Sequence, residues 1–181
     1  MARYVALFRG INVGKAKRIA MGDLRVLLEK LGYTSVKTLL NSGNVVFTGA
    51  AATPAQQAER IRAAVSKQLG VDALVLVKRA QDIAAIVEGN RLGKIATDHS
   101  RLLVAMTPEA RALAGVAALS AKPWGKEKLH VGKHAAYIWC ADGILESPAA
   151  AALLKGLENK ATTRNWATLN KIHALLQEDG R

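Results

Sequence analysis

The first half of the chain alternates between short apolar runs and segments with helical periodicity. Residues 3–8 are apolar on both faces, which is typical of a central strand. In residues 21–31 the leucines recur every three or four positions and Gly32 follows, a pattern that predicts a helix and its end. Residues 35–40 and 45–48 are two further apolar runs joined by a polar turn, which indicates a hairpin.

A second helix and a fourth strand complete the pattern of the first half. Thr53 and Gln56 form a capping box around Pro54, so this helix should cover residues 54–69. Residues 74–77 are again apolar and predict a strand. The resulting β-α-β-β-α-β order is that of a ferredoxin-like fold. It predicts an antiparallel sheet with strand order 4-1-3-2 and both helices on one face.

The second half repeats this order less completely. Its pattern predicts helices over residues 80–88 and 107–120, strands over 102–106, 129–131 and 135–140, and helices from 148 and over 166–175. Gly132-Lys133 is suited to a two-residue hairpin turn. A terminal helix stands where a fourth strand would be expected. We therefore predict an α+β protein of two ferredoxin-like subdomains, residues 1–79 and residues 80–181, the second degenerate and closed by a C-terminal helix.

The first strand indicates how the two halves are joined. In a strand, alternate side chains point to opposite faces of the sheet. Tyr4, Ala6 and Phe8 would share one face, and Val5 and Leu7 the other. Helices cover only one face of a single ferredoxin-like unit, so the second half should cover the other.

Composition restricts the class of protein. The chain has 181 residues, of which 50% are hydrophobic and 22% charged, as expected for a folded protein with a sizeable core. It contains no apolar run of about 18 residues and no basic-then-apolar leader, so we expect no membrane partner and a cytoplasmic location. A single cysteine, Cys140, excludes an intrachain disulfide and lies in an apolar run, where a buried thiol is expected.

The chain is strongly basic. Its net charge is +12, from 26 Lys and Arg against 14 Asp and Glu. Such an excess favours phosphorylated ligands, nucleic acid or acidic partners, but it is equally compatible with an ordinary basic surface. The cations are spread along the chain, and the densest stretch without an acid is residues 9–18. Both interpretations stay open on charge alone.

Two polar turns carry the candidate binding residues. In each turn, glycine places bare backbone N–H groups beside polar side chains, as in loops that recognise anions. The same residue types also favour turns for conformational reasons alone. The first two strands should run parallel because a crossover helix joins them, so both turns should lie at the same end of the sheet. The candidates are Arg9, Gly10, Asn12 and Lys15 in the first turn, and Asn41, Ser42 and Asn44 in the second.

A third polar segment precedes the last predicted helix. Thr163 or Asn165 would cap that helix. A helix N-terminus beside Arg164 is also an anion site, and one arrangement can serve both roles. We predict that Arg164 joins the two turns in one polar cluster.

The sequence motifs of common phosphate, RNA and metal sites are incomplete or missing in this chain. Residues 10–15 superficially suggest a Walker phosphate loop, but the glycine spacing is one residue short and Ala16 replaces the magnesium-binding Ser or Thr. The third strand lacks the exposed aromatic residues on which ferredoxin-like RNA-binding domains stack bases. His130 and His134 flank a predicted turn and should point to opposite faces, so we predict no metal site. We expect no cofactor.

Several motifs recur in a fixed order from the first strand to the last helix. They are Phe8-Arg9-Gly10-Ile11-Asn12-Val13-Gly14, then Met21 and Leu24, then Asn41-Ser42-Gly43-Asn44-Val45-Val46-Phe47, and finally Thr162-Thr163-Arg164-Asn165-Trp166. As a set they resemble an uncharacterised bacterial family, domain-of-unknown-function family 1697. The resemblance implies two α+β subdomains and no particular activity. Lys15 stands where that family usually has a second glycine after Gly14, which makes this loop more basic.

Taken together, these features favour a protein that binds a small anionic ligand. A nucleotide or a phosphorylated metabolite is the expected class. The alternatives are a basic nucleic-acid-associated protein that does not stack bases on its sheet, and an enzyme of unidentified type. An enzyme would need an acid or base beside the polar cluster, and the 14 acidic residues are scattered.

Overall fold

A computed structural model describes residues 1–178, which form two structural units. The first contains Met1–Ile83 together with residues 172–178. The second contains Ala84–Lys171. The division falls inside a helix, Ala80–Glu88. No helix within residues 1–178 is long and apolar enough to cross a membrane.

The first unit has the predicted order of strands and helices. Its elements are β1 (Ala2–Arg9), α1 (Met21–Lys30), β2 (Thr34–Leu39), β3 (Asn44–Gly49), α2 (Pro54–Leu69) and β4 (Leu74–Arg79). The sheet order is β4-β1-β3-β2, and every neighbouring pair is antiparallel. The predicted strand order 4-1-3-2 is therefore confirmed.

The core of the first unit lies between its sheet and two helices. Tyr4, Ala6 and Phe8 of β1 belong to one buried cluster with residues of both helices, namely Leu24, Leu27, Leu28, Ile61, Ala64 and Val65. Both helices thus cover the same face, as predicted. Val5 and Leu7 are also completely buried, and they lie on the other face of β1. That the second half covers this face stays a prediction.

The second unit is built around another four-stranded sheet. Its elements are α3 (Ala80–Glu88), β5 (Leu102–Met106), a 3₁₀ helix (Ala110–Ala121), β6 (Lys128–Val131), β7 (Ala136–Trp139), α4 (Pro148–Gly156), β8 (Thr162–Asn165) and α5 (Trp166–Gln177). The start of α3 and the end of α5 belong to the first unit. The sheet order is β6-β7-β5-β8, again antiparallel between neighbours. Cys140, just after β7, is fully buried as expected.

The structure corrects the prediction of a degenerate second half. A fourth strand, β8, is present and pairs with β5, from Leu103↔Asn165 to Met106↔Thr162. All four of its residues are polar, so the segment lacks the apolar signal of a strand. The Asn165 side chain then caps α5, since its Oδ1 accepts a hydrogen bond from Thr168 N at 2.9 Å.

Two local predictions for the second half were also wrong. The segment after β5 is a 3₁₀ helix of 12 residues, Ala110–Ala121, rather than an α-helix. The hairpin between β6 and β7 has a four-residue loop, because Val131 pairs with Ala136. Gly132 N donates to Ala135 O at 2.9 Å, which closes this longer loop. The Gly132-Lys133 pair predicts a two-residue turn, and the sequence does not indicate this longer loop.

Candidate functional site

Two loops of the first unit meet at one end of its sheet. We call residues 10–20, between β1 and α1, the anion loop, after the ligand class that its sequence suggests, and residues 40–43, between β2 and β3, the hairpin turn. Phe8 N donates to Gly43 O at 2.8 Å. The Asn12 side chain, through Nδ2, donates to Asn41 O at 2.8 Å. The predicted meeting of the two turns at one end of the sheet is therefore observed.

Gly43 allows this close approach. Its φ is +86°, in the left-handed region that favours glycine. A Cβ atom there would lie 2.6 Å from Ile11 Cδ1 and 2.7 Å from Phe8 Cβ. The Phe8 Cβ is fixed by the buried β1 strand and cannot move away cheaply. Any side chain at this position would push the hairpin turn off the end of β1.

Asn12 ties the anion loop together. Its φ is +56°, a conformation that asparagine tolerates better than most residues. Its Oδ1 accepts from Ile19 N at 2.8 Å, and its Nδ2 donates to Ile19 O at 2.9 Å and to Asn41 O. Both N–H groups of the amide are therefore used within the protein. Asn12 shapes the site and presents no spare side-chain donor to a ligand.

Asn44, the residue that follows the hairpin turn, has a comparable role. It is 1% exposed at the start of β3. Its Nδ2 donates to Leu39 O at 2.7 Å and to Ser42 Oγ at 3.1 Å. Two predicted ligand-binding residues, Ser42 and Asn44, thus contact each other and close the turn.

A cavity opens where the two loops meet. Its volume is about 330 Å³. It is lined by Asn12, Arg18, Ile19, Ala20 and Asn41. Asn12 and Asn41 belong to the predicted site, whereas Arg18 was not among the predicted residues. Arg18 is recognisable in sequence only as one more cation of the stretch from residue 9 to residue 18.

Arg18 is the charged group of this cavity. Its Nη1 donates to Gly14 O at 3.2 Å, which anchors the guanidinium on the anion loop. Among residues 1–178, no acidic side chain forms an ion pair with it. An anchored guanidinium without an acidic partner has N–H groups available for an anion.

The helix α1 begins at the same cavity. Ala20, one of the lining residues, is its N-cap and provides no side-chain hydrogen bond. The first amide bonded back along the helix is Leu24 N, which donates to Ala20 O at 3.1 Å. The N–H groups before it have no intrahelical acceptor, and the helix dipole places partial positive charge there. Asp23 in the first turn offsets part of this charge.

Other cations lie close in the sequence to the residues that line the cavity. Arg9 ends β1 opposite Leu74, and Lys15 is exposed on the anion loop. Neither forms an ion pair among the described residues. Lys17 is close enough to Asp72 to contribute to the lowered pKa of that carboxyl, whose main cause is its hydrogen bond with Arg62. The Asp72 carboxyl is thus already engaged by Arg62.

Arg164 belongs to the second unit. It lies in β8 opposite Val104 and is 9% exposed. Its Nη1 donates to Thr163 O at 2.8 Å. Burial lowers the pKa of its guanidinium to about 10. Its membership of a cluster with the anion loop and hairpin turn stays a prediction.

The described residues offer few other groups that could bind a metal ion or act as a nucleophile. Within residues 1–178, no three His, Cys, Asp or Glu side chains lie together as a metal ion would require. The Cys140 thiol is buried, and this burial raises its pKa. A raised pKa reduces the thiolate fraction at neutral pH, so the structure provides no activated nucleophile there.

Comparisons with known proteins agree with the fold and supply no activity. Residues 1–137 match the family model described as "Protein of unknown function (DUF1697)". The solved structure of a conserved bacterial protein from Streptococcus pneumoniae is similar, with a TM-score of 0.78 and 26% identity. The match covers 97% of this chain and 99% of that one. No curated protein matches this chain.

Proposed function

Because the chain belongs to the family of proteins of unknown function DUF1697, we propose its function from the candidate site: it binds a small anionic ligand at the cavity between the anion loop and the hairpin turn. One observation carries the proposal. The Arg18 guanidinium and the uncapped start of α1 line a single cavity. Both groups favour negative charge, and a phosphate or carboxylate can accept hydrogen bonds from each.

The electrostatic surroundings support an anion rather than a neutral ligand. Arg9, Lys15, Lys17 and Arg18 lie within ten residues that contain no acid. Such a concentration of one charge attracts anions over a distance set by the salt concentration. In this proposal Arg18 contacts the ligand directly, whereas Arg9 and Lys15 contribute mainly to the attractive field.

Size and lining restrict the class of ligand. A cavity of about 330 Å³ is at the small end of the range of about 300–1,000 Å³ for ligand sites. Ile19 and Ala20 give it an apolar wall beside the polar groups. A phosphorylated metabolite or the phosphate end of a nucleotide fits this combination. In our proposal, Asn12, Ser42 and Asn44 hold the site in shape and do not donate to the ligand.

Calorimetric titration with three probes tests the proposal. The probes are inorganic pyrophosphate, ADP and a single-stranded oligonucleotide. We expect saturable binding of pyrophosphate or ADP, and Arg18→Gln should weaken it by about tenfold or more, since hydrogen bonds to charged groups contribute about 1.5–3 kcal/mol. Lys30→Gln is the matched control, because it removes one cation at the other end of α1 and should leave the affinity unchanged.

Two results would count against a small-anion site. The first is equal weakening by Arg18→Gln and Lys30→Gln, which would reflect net charge alone. The second is binding of the oligonucleotide only, with an affinity that falls steeply as salt rises, which would favour the nucleic-acid alternative.

The fold type of each unit, the origin of the protein and its cellular location are also proposals. We propose that each unit is a ferredoxin-like fold, on the basis of the repeated strand order β4-β1-β3-β2 and β8-β5-β7-β6. The similarity to a Streptococcus pneumoniae protein supports a bacterial origin. A cytoplasmic location is in keeping with a single cysteine that is fully buried.

A further inference from the structure

Four exposed lysines lie close together in the sequence of the second unit, before, within and after its edge strand β6. They are Lys122, Lys126, Lys128 and Lys133, which we call the lysine track. Among residues 1–178, none of them forms an ion pair. Four like charges without acidic partners attract a polyanion.

The one acid within this stretch does not neutralise the lysine track. Glu127 is the single acidic residue of the segment from residue 122 to residue 133, and it is 6% exposed. Its Oε2 accepts a hydrogen bond from Ala149 N at 3.1 Å, at the start of α4. The partial positive charge of the helix N-terminus offsets the carboxylate there. The exposed charge of this segment is therefore positive.

An aromatic ring accompanies the lysines in a cavity of about 270 Å³. Trp124 lines this cavity together with Lys122, Glu127 and Lys128. The ring is half-buried and packs partly against the core of the second unit. Its Nε1 donates to Leu119 O at 2.9 Å, so its only polar group is already bonded. The ring is thus held in place, and what it offers to a ligand is its π surface.

A second tryptophan lies on the other side of Lys128. Lys128 and Trp139 are opposite each other in the register of β6 and β7, so their side chains lie on the same face of the sheet. Trp139 is half-buried. Among residues 1–178, no other ring stacks on it and no cation lies over it. Lys128 thus shares a cavity with one indole and faces another across the strand pair.

We propose that the lysine track and these two tryptophans bind single-stranded nucleic acid. Bases stack on the indole rings, and the ammonium groups contact the phosphates. A single strand is favoured over a duplex because an aromatic side chain stacks on a base that has been released from its neighbours. A strand is favoured over one nucleotide because Lys126 and Lys133 lie outside the lining of the cavity. This site is independent of the anion site in the first unit.

Fluorescence anisotropy of a labelled single-stranded oligodeoxythymidylate tests this inference on the full chain. The competitors are a DNA duplex of the same length and a polyglutamate peptide of the same charge, all at one salt concentration. We expect the single strand to bind more tightly than either competitor by about tenfold or more, because only its bases are free to stack.

Variants of Trp124 separate stacking from structure. Trp124→Phe and Trp124→Leu both lose the hydrogen bond to Leu119 O, so they are matched for its effect on folding. Trp124→Phe keeps a ring and should keep most of the affinity. Trp124→Leu should weaken binding of the single strand by about tenfold relative to Trp124→Phe.

Variants of the lysine track test its contacts with phosphates. Lys122→Gln combined with Lys128→Gln should weaken binding and reduce the slope of log affinity against log salt by about 1.4, at about 0.7 for each lost contact with a single strand. Lys94→Gln combined with Lys155→Gln is the matched control, because it removes two exposed lysines of the same unit outside the track. The control should bind normally with an unchanged slope.

Four results would overturn the proposal. Equal affinity for polyglutamate would indicate an acidic protein partner instead. Equal affinity for the duplex would indicate attraction to phosphates without stacking. The same loss in both pairs of lysine variants would reflect net charge alone. Equal affinity of Trp124→Leu and Trp124→Phe would show that no base stacks on this ring.

Discussion

Asn12 joins segments of the first unit through a single amide group. It bonds both the N–H and the C=O of Ile19, and it bonds the Asn41 carbonyl of the hairpin turn. Replacing Asn12 by glycine keeps the left-handed backbone and removes all three bonds. At about 1 kcal/mol for each bond, we expect the free energy of unfolding to fall by roughly 2–3 kcal/mol in urea denaturation.

Asn41→Ala is the control for that measurement. Asn41 contributes only its backbone carbonyl to the contact with Asn12, and its side chain is exposed. The change should cost less than about 0.5 kcal/mol, as is usual for surface positions. A similar loss in both variants would show that Asn12 does not hold the two loops together.

Gly43 and Gly14 have similar backbones and different surroundings. Their φ values are +86° and +63°. A Cβ at Gly43 would clash with Phe8 and Ile11, whereas one at Gly14 would meet nothing within 4 Å. Gly14→Ala should therefore cost only the backbone strain, about 1 kcal/mol. Gly43→Ala should cost about 1–3 kcal/mol more, because that is the usual cost of overpacking a side chain. Equal losses in thermal or urea unfolding would contradict this account of the turn.

At the residue scale, the sequence predicted that the two loops meet, but it did not predict which groups their polar side chains contact. Asn12 and Asn44 were expected to contact a ligand, but their amide N–H groups bond the backbone and Ser42. Asparagine in a turn commonly bonds its own loop, and the residue type does not distinguish this from ligand binding. Arg18 was missed because only the folded loop brings its guanidinium to Gly14 and the cavity.

At the scale of elements, β1 is the centre of the first unit. It pairs with both β3 and β4, and its residues from Tyr4 to Phe8 are all completely buried. Phe8→Ala should lower the free energy of unfolding by about 3–5 kcal/mol, as for other buried phenylalanines. Val13→Ala is a useful comparison because Val13 is 72% exposed. A loss below about 1 kcal/mol for Phe8→Ala would mean that the end of β1 is not packed as described.

Helices and strands with a regular spacing of hydrophobic residues, or with a helix-capping motif, could be predicted well. The capping box of Thr53 and Gln56 with Pro54 predicted α2 over 54–69, and the structure has Pro54–Leu69. The strand β8 was missed because Thr162–Asn165 contains no apolar residue; it is recognised only through its pairing with β5. The 3₁₀ helix was taken for an α-helix because both conformations follow from a similar apolar period over a short stretch.

At the scale of the whole molecule, the two units repeat one strand order. The first follows from the sequence pattern, and the second becomes evident only once β8 is seen. Motif order over nearly the whole chain indicated the family, and the family model confirms it over residues 1–137. Net charge alone left small ligands, nucleic acid and an ordinary basic surface undecided, because it does not show where cations are focused.

We propose above all that a small anion binds where α1, the anion loop and the hairpin turn meet. The most direct measurement is an amide NMR titration of the full chain with inorganic pyrophosphate, at constant ionic strength, for the native protein and Arg18→Gln. We predict saturable shifts at residues 18–23 and at Asn41 in the native protein, weakened by about tenfold or more in Arg18→Gln. Shifts that are absent, that do not saturate, or that are the same in both proteins would contradict the account.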